Sequence, residues 1–183
     1  MGKLRPFLSA RDVSYISINY GHVGLIGTRF KNRAIASTVA KAVKTAVCNE
    51  FRPVVIGHSN GCAIAHLALE EVEAECAVDA IYINPALKET VDIAPSVAQL
   101  AVWHSPSDGP VRWSKWLPVS DARPWGEMGA VGYIGEDKRV TNYNKELMEP
   151  PSTEHSDLFS AELLPFYGPL IADGVVMGGV DVW

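Results

Sequence analysis

A short, wholly apolar run, Pro53-Val-Val-Ile56, leads without a spacer into Gly57-His-Ser59-Asn-Gly61 and then into an Ala-rich stretch from Cys62. An apolar run of that length suits a strand covered on both faces, as in a parallel sheet between layers of helix. The turn behind it must reverse the chain sharply. Small residues two before and two after Ser59 let neighbouring backbone pass without a Cβ clash. Strand, tight turn and helix in immediate succession point to an α/β architecture.

The same alternation runs through the rest of the chain. Val13–Asn19 reads as a first strand closed by turn-rich Tyr20-Gly-His-Val-Gly24, with Met1–Asp12 as the remnant of a preceding helix. From Asn32 to about Asn49, apolar Ile35, Val39, Ala42, Val43 and Ala46 recur at threes and fours, the spacing of an amphipathic helix. A second helix is expected from Cys62 to about Glu75. Ala80–Ile83 and Leu100–Trp103 are further strands, closed by Asn84-Pro85 and by His104-Ser-Pro-Ser-Asp-Gly109. Arg112–Leu117 suggests a short helix, and Ala130–Gly135 and Arg139–Tyr143 suggest two strands, the second closing the sheet's edge. Leu158–Tyr167 reads as a last helix that Pro165 ends or kinks, and 174–183 as a C-terminal tail. The expected fold is one α/β domain over 1–183, a mostly parallel sheet of about five to six strands with helices on both faces.

Composition narrows the partners. The 183 residues are 48% hydrophobic and 20% charged with a net charge of −5, ordinary values for a globular chain. No run of Lys and Arg suggests nucleic acid or an anionic membrane surface. The N-terminal residues are too interrupted for a secretory apolar core, and no apolar stretch reaches bilayer-spanning length. The three cysteines, Cys48, Cys62 and Cys76, lack metal-ligand spacing and read as reduced thiols, so a cytoplasmic location is expected and no metal.

Chemistry gathers at Gly57-x-Ser59-x-Gly61. With a strand before and a helix after, this pattern lifts a serine hydroxyl above the sheet at a helix N-terminus, which favours developing negative charge. The amide of Asn60 then points to where a substrate oxyanion forms. The alternative is a plain strand–helix turn with Ser59 as helix N-cap. A serine nucleophile needs a base, and the base an orienting acid. Of the five histidines, His58 is badly placed to serve its own neighbour and His66 lies inside the next helix. His155 lies in the polar loop Ser152-Thr-Glu-His-Ser-Asp157, while His104 at a strand end stays open as an alternative base. Asp108, in a Pro/Gly-punctuated loop after the strand Leu100–Trp103, is the matching acid.

Three stretches carry a resemblance. Val54-Val-Ile-Gly-His-Ser-Asn-Gly-Cys-Ala-Ile-Ala-His-Leu-Ala68 resembles the nucleophile elbow and following helix of the α/β-hydrolases. His104-Ser-Pro-Ser-Asp-Gly-Pro-Val111 resembles that family's acid loop, and His155-Ser-Asp-Leu-Phe159 its histidine loop. The resemblance runs from the first strand to about Tyr167 and implies a Ser59, Asp108, His155 triad in the family's chain order. It further implies hydrolysis of small carboxylic esters without a cofactor, with thioesterase, lipase or amidase chemistry open to the same machinery.

The chain departs from the family twice. Only one clear strand precedes the elbow where the family has several, so Gly21 or His22 is left to supply the second oxyanion amide. An exposed sheet edge also results, which invites pairing into a homo-oligomer. The connection after Asn84-Pro85 is too short for a lid, and Trp113, Trp116 and Trp125 are placed to wall an open pocket. Two other readings stand beside the hydrolase: a reduced hydrolase fold kept as a binding or assembly module, and a doubly wound nucleotide-binding domain. The latter lacks the glycine-rich phosphate loops it needs.

Overall fold

A computed structural model describes residues 2–18, 25–114 and 125–176, apart from the side chains of 25–30, 113 and 114. Its centre is a sheet of β1 (Val54–His58), β2 (Val78–Ile83), β3 (Val97–His104) and β4 (Val140–Asn144), all parallel and in the order β1-β2-β3-β4. Six helices accompany it among the described residues: α1 (Arg5–Ser9), α2 (Leu25–Cys48), α3 (Asn60–Glu70), α4 (Gly109–Ser114), α5 (Met128–Val131) and α6 (Leu164–Val176).

Strand order explains how the two faces are covered. When strands are added in chain order through crossovers of one hand, every connection falls on the same face. Accordingly α3, the connection carrying Leu87, Ile93 and Ala94, and Met128 of α5 share one core with α2 and with Val78, Ala80, Tyr82, Leu100 and Val102. The opposite face is left to the chain ends. Leu4 and Leu8 near the N-terminus and Tyr167, Ile171 and Ala172 of α6 bury Ile81, Ile83, Ala101 and Trp103 there. From Ala80 to Ile83 successive residues of β2 thus alternate between the two cores, which is why the sequence shows an apolar run there, and Asp79 is the one charged residue among the strand's six buried positions.

Several expectations need correction. The sheet has four strands among the described residues, not five to six. Residues 13–18 form no ladder, and Asn19 lies outside the described residues. A β-branched run is a strand only where a half-buried sheet surface receives it, and here Ile16 is 75% exposed. No described strand therefore covers the outer edge of β1. Residues 130–135 are not a strand either. Met128 and Gly129 donate to the carbonyls of Leu87 and Pro85 at 3.0 and 2.8 Å, Ile134 donates to Glu89 at 2.9 Å, and Gly132 turns the chain at φ 79°. The expected helix at 158–167 splits into a turn at Asp157–Phe159 and α6. Pro165 opens α6 rather than ending it, since its missing N–H falls in the first turn. Of the expected tail, 174–176 complete α6 and 177–183 lie outside the described residues. In both segments tertiary placement overrides strand propensity.

Candidate functional site

Each strand delivers one polar residue just past its C-terminal end: Ser59 after β1, Asn84 after β2, Asp108 after β3 and Lys145 after β4. Parallel strands in register make these ends neighbours, which is where open α/β sheets bind their ligands.

Ser59 has φ 54° and ψ −125°, a conformation a side chain normally avoids at a cost of about 1–3 kcal/mol. Its neighbours hold it there. The Ser59 amide donates to the Ile83 carbonyl at 3.1 Å, and the Ser59 carbonyl accepts from the amides of Cys62 at 3.0 Å and Ala86 at 3.4 Å. Gly57 is required because a Cβ there would meet the Cys62 Cα at 2.8 Å. Ser59 stands at the N-cap position of α3, yet its hydroxyl makes no capping bond, so capping does not account for this serine.

Asp108 is fully buried and collects three donors. His155 Nδ1 lies 2.8 Å from its Oδ2 and 3.1 Å from its Oδ1, the Val111 amide donates to Oδ1 at 3.1 Å, and Asn84 Nδ2 donates to Oδ2. Burial alone would raise this carboxyl, but the bonds from His155 and Asn84 outweigh it and hold it below the usual carboxylate value. Since the carboxylate accepts, His155 carries its proton on Nδ1, and Nε2 is left as an acceptor. The imidazole remains 20% exposed. Among the described residues its ring bonds run to Asp108, and none joins it to the Ser59 hydroxyl.

The other histidines have different tasks. His58 donates from Nε2 to the His155 carbonyl at 2.9 Å and packs its ring 4.9 Å from the His155 ring and 5.1 Å from Phe159. Burial lowers it to about 4, so it stays neutral near pH 7. His104 turns away toward the Ala130 carbonyl at 3.3 Å, which leaves His155 as the histidine on Asp108. His66 is buried in α3 beside Glu70, as a packed residue.

Asn60 is held by its side chain. It exchanges amide bonds of 3.0 and 3.3 Å with fully buried Asn32 of α2, and its Oδ1 also accepts from Trp125 Nε1 at 3.4 Å. As the first residue of α3, Asn60 has no helical carbonyl behind its N–H. Trp125 is only 4% exposed and its indole N–H ties it to the Asn60 side chain beside the elbow. The Trp113 side chain, Trp116, Gly21 and His22 lie outside the described residues.

Sequence reasoning missed Asn84, Asn32 and the polar residues behind the histidine loop. Asn84 could have been suspected: asparagine tolerates a positive φ better than other side chains, and the strand end it closes has φ 46°. Asn32 gives no signal in its own segment. Among the described residues no group of three or more His, Cys, Asp or Glu is placed to hold a metal ion. No helix among them is long and apolar enough to cross a membrane. Comparisons of the chain with protein-family models, with curated proteins and with solved structures find no match.

Proposed function

We propose that this chain is a serine hydrolase acting on small, accessible carboxylic esters, with Ser59 as nucleophile, His155 as general base and Asp108 as the group that orients it. The observation that carries the reading is the 2.8 Å bond from His155 to buried Asp108 beside a serine at φ 54°. A tightly turned serine and an oriented imidazole whose loop is bonded to His58 at the end of the serine's own strand are what nucleophilic acyl transfer needs.

In this mechanism Ser59 Oγ attacks the ester carbonyl carbon as its proton passes to His155 Nε2. The carbonyl oxygen becomes the oxyanion, facing the Asn60 amide and the positive end of α3, with Gly21 or His22 as the second donor. Collapse breaks the ester C–O bond, and the leaving alkoxide takes the proton from His155. Water then attacks the acyl-serine with His155 again as base, which releases the acid and restores the Ser59 hydroxyl. Asp108 keeps the imidazole in the accepting tautomer and stabilises the imidazolium each time.

One observation favours a second reading, a hydrolase-like binding module: no hydrogen bond joins the Ser59 hydroxyl to His155. Such bonds commonly tighten only around substrate. Hydrolysis of p-nitrophenyl acetate and butyrate by wild type, Ser59→Ala and His155→Ala separates the two. Loss of activity in both variants supports the hydrolase. A wild type that neither turns over ester nor reacts with a fluorophosphonate refutes it and leaves the binding module.

A further inference from the structure

Asp108 orients the His155 ring, but the ring is placed by the loop that carries it, and 152–157 has no regular structure before the short turn at Asp157–Phe159. Six of its backbone polar groups are held one by one instead. The Ser152 amide donates to the Lys145 carbonyl at 3.0 Å, and the Thr153 and Glu154 amides both donate to Asp157 Oδ2 at 2.9 and 3.0 Å. The Thr153 carbonyl accepts from Ser105 Oγ at 2.8 Å, and the His155 carbonyl from His58. The Glu154 carbonyl accepts from Lys145 Nζ at 3.3 Å.

Lys145 is the unexpected member. It is fully buried, whereas lysine is rarely so unless paired. Its ammonium donates to Ser152 Oγ at 2.8 Å, Ser152 passes a bond of 2.6 Å to Asp157 Oδ1, and Lys145 Nζ itself lies 3.9 Å from that carboxylate. Its own carbonyl accepts from the Ser152 amide, and the Tyr167 hydroxyl of α6, which donates to the Pro150 carbonyl at 2.6 Å, lies 3.4 Å from it. The charges facing the ammonium are Asp157 from the loop, Asp108 from the segment after β3 and Glu146 beside it, and its field also reaches His58 and His104. An aliphatic residue would fill the same space but leave Ser152 Oγ and the Glu154 carbonyl without the ammonium that donates to them, and the Asp157 carboxylate without its neighbouring positive charge.

We propose that Lys145 is a positioning residue: its buried ammonium, acting through Ser152, Asp157 and the Glu154 carbonyl, holds the loop that sets the His155 imidazole on Asp108. This rests on the reading of His155 as general base only where activity is measured. The geometry it asserts, a held His155–Asp108 pair, has its own readout.

The test is Lys145→Met, which keeps an unbranched chain of similar length, beside Ser152→Ala and a control, Val43→Ala, in the core on the opposite face. Thermal melting identifies the variants that fold. Proton NMR then follows the deshielded His155 Nδ1–H expected of a hydrogen bond to carboxylate, and a fluorophosphonate reports Ser59 reactivity. The expected result is that Lys145→Met loses that resonance and labels at least tenfold more slowly, while Val43→Ala keeps both. If Lys145→Met does not fold, Ser152→Ala decides in its place, with loss or weakening of the same resonance expected. Retention of the resonance and of wild-type labelling in the folded variant overturns the proposal, as does a wild type without the resonance. A wild type that shows the resonance but never labels, with the resonance lost in Lys145→Met, refutes the hydrolase and leaves the positioning role standing.

Discussion

Asp108→Asn is the most informative single change, because it alters charge and tautomer while leaving volume nearly constant. Three donors converge on the two carboxylate oxygens: His155 Nδ1, the Val111 amide and Asn84 Nδ2. An introduced amide offers one oxygen and one NH2. The side of Oδ1 must stay an acceptor, since the Val111 N–H cannot turn. The NH2 then faces Asn84, which can accept by rotating its own amide, because Asn84 Oδ1 is buried without a partner among the described residues. The same NH2 also faces the imidazole, and donating to Nδ1 moves the ring proton to Nε2, where it blocks uptake of the Ser59 proton. Folding therefore survives, with a loss of about 1–3 kcal/mol for the charged hydrogen bonds. Turnover falls by a factor on the order of 10⁴, the cost of the wrong tautomer in serine hydrolysis, or about 5.5 kcal/mol in the barrier. Urea denaturation and p-nitrophenyl butyrate hydrolysis measure the two effects separately. A folded variant within tenfold of wild-type turnover would refute the orienting role of Asp108.

Three further outcomes follow from single features. Ser59→Gly should abolish fluorophosphonate labelling yet raise the urea midpoint by the equivalent of about 1 kcal/mol, because glycine tolerates φ 54° without strain; an unchanged or lower midpoint would count against a strained elbow. Gly57→Ala should cost about 1–3 kcal/mol and slow labelling, since the new methyl meets Cys62 backbone at 2.8 Å; a variant as stable as wild type would contradict that contact. His58 is held to about 4 by burial, below its ordinary 6.5, so the unfolded chain takes up the proton first. Its contribution to stability is complete above about pH 6.5 and is lost as pH falls toward 4. His58→Asn should flatten the stability profile in that window, and an unchanged slope there would show that His58 is not buried as described.

What the sequence revealed and what it hid divide along contact range. The elbow was legible because its requirements are local: Gly57, Ser59 and α3 lie within a few residues, and a small residue is needed wherever backbone crosses backbone. The strands β1, β2 and β3 were legible because each holds a short apolar run, Val54–Ile56, Ala80–Ile83 and Leu100–Trp103, of the kind a strand between two helical layers shows. Residues 13–18 are strand-like but have no partner among the described strands, and Ala130–Gly135 is strand-like too, but its amides turn back to Glu127 and Met128, reach the Asn142 side chain, or, at Ile134, the connection after β2. Propensity states what a residue suits and not what stands beside it.

The residues behind the site were hidden for a related reason. Asn32 meets Asn60 across 28 positions, Ser105 meets the Thr153 carbonyl across 48, and His58 meets the His155 carbonyl across 97. Each is a common polar residue in an unremarkable segment, and its burial follows only once β1, β3 and the histidine loop stand together at one end of the sheet. Lys145 is the extreme case, since a lysine just after an edge strand is normally expected in solvent. Chain order accounts for its burial. With α6 returning beneath the sheet after the histidine loop, the residues following β4 are enclosed by the chain's own C-terminal segment, and Tyr167 of α6 closes over the Lys145 carbonyl. A charge enclosed in this way must find acceptors or destabilise the fold. The acceptors it finds belong to the loop that carries His155, so the stability of that loop and the placement of the imidazole depend on the same bonds.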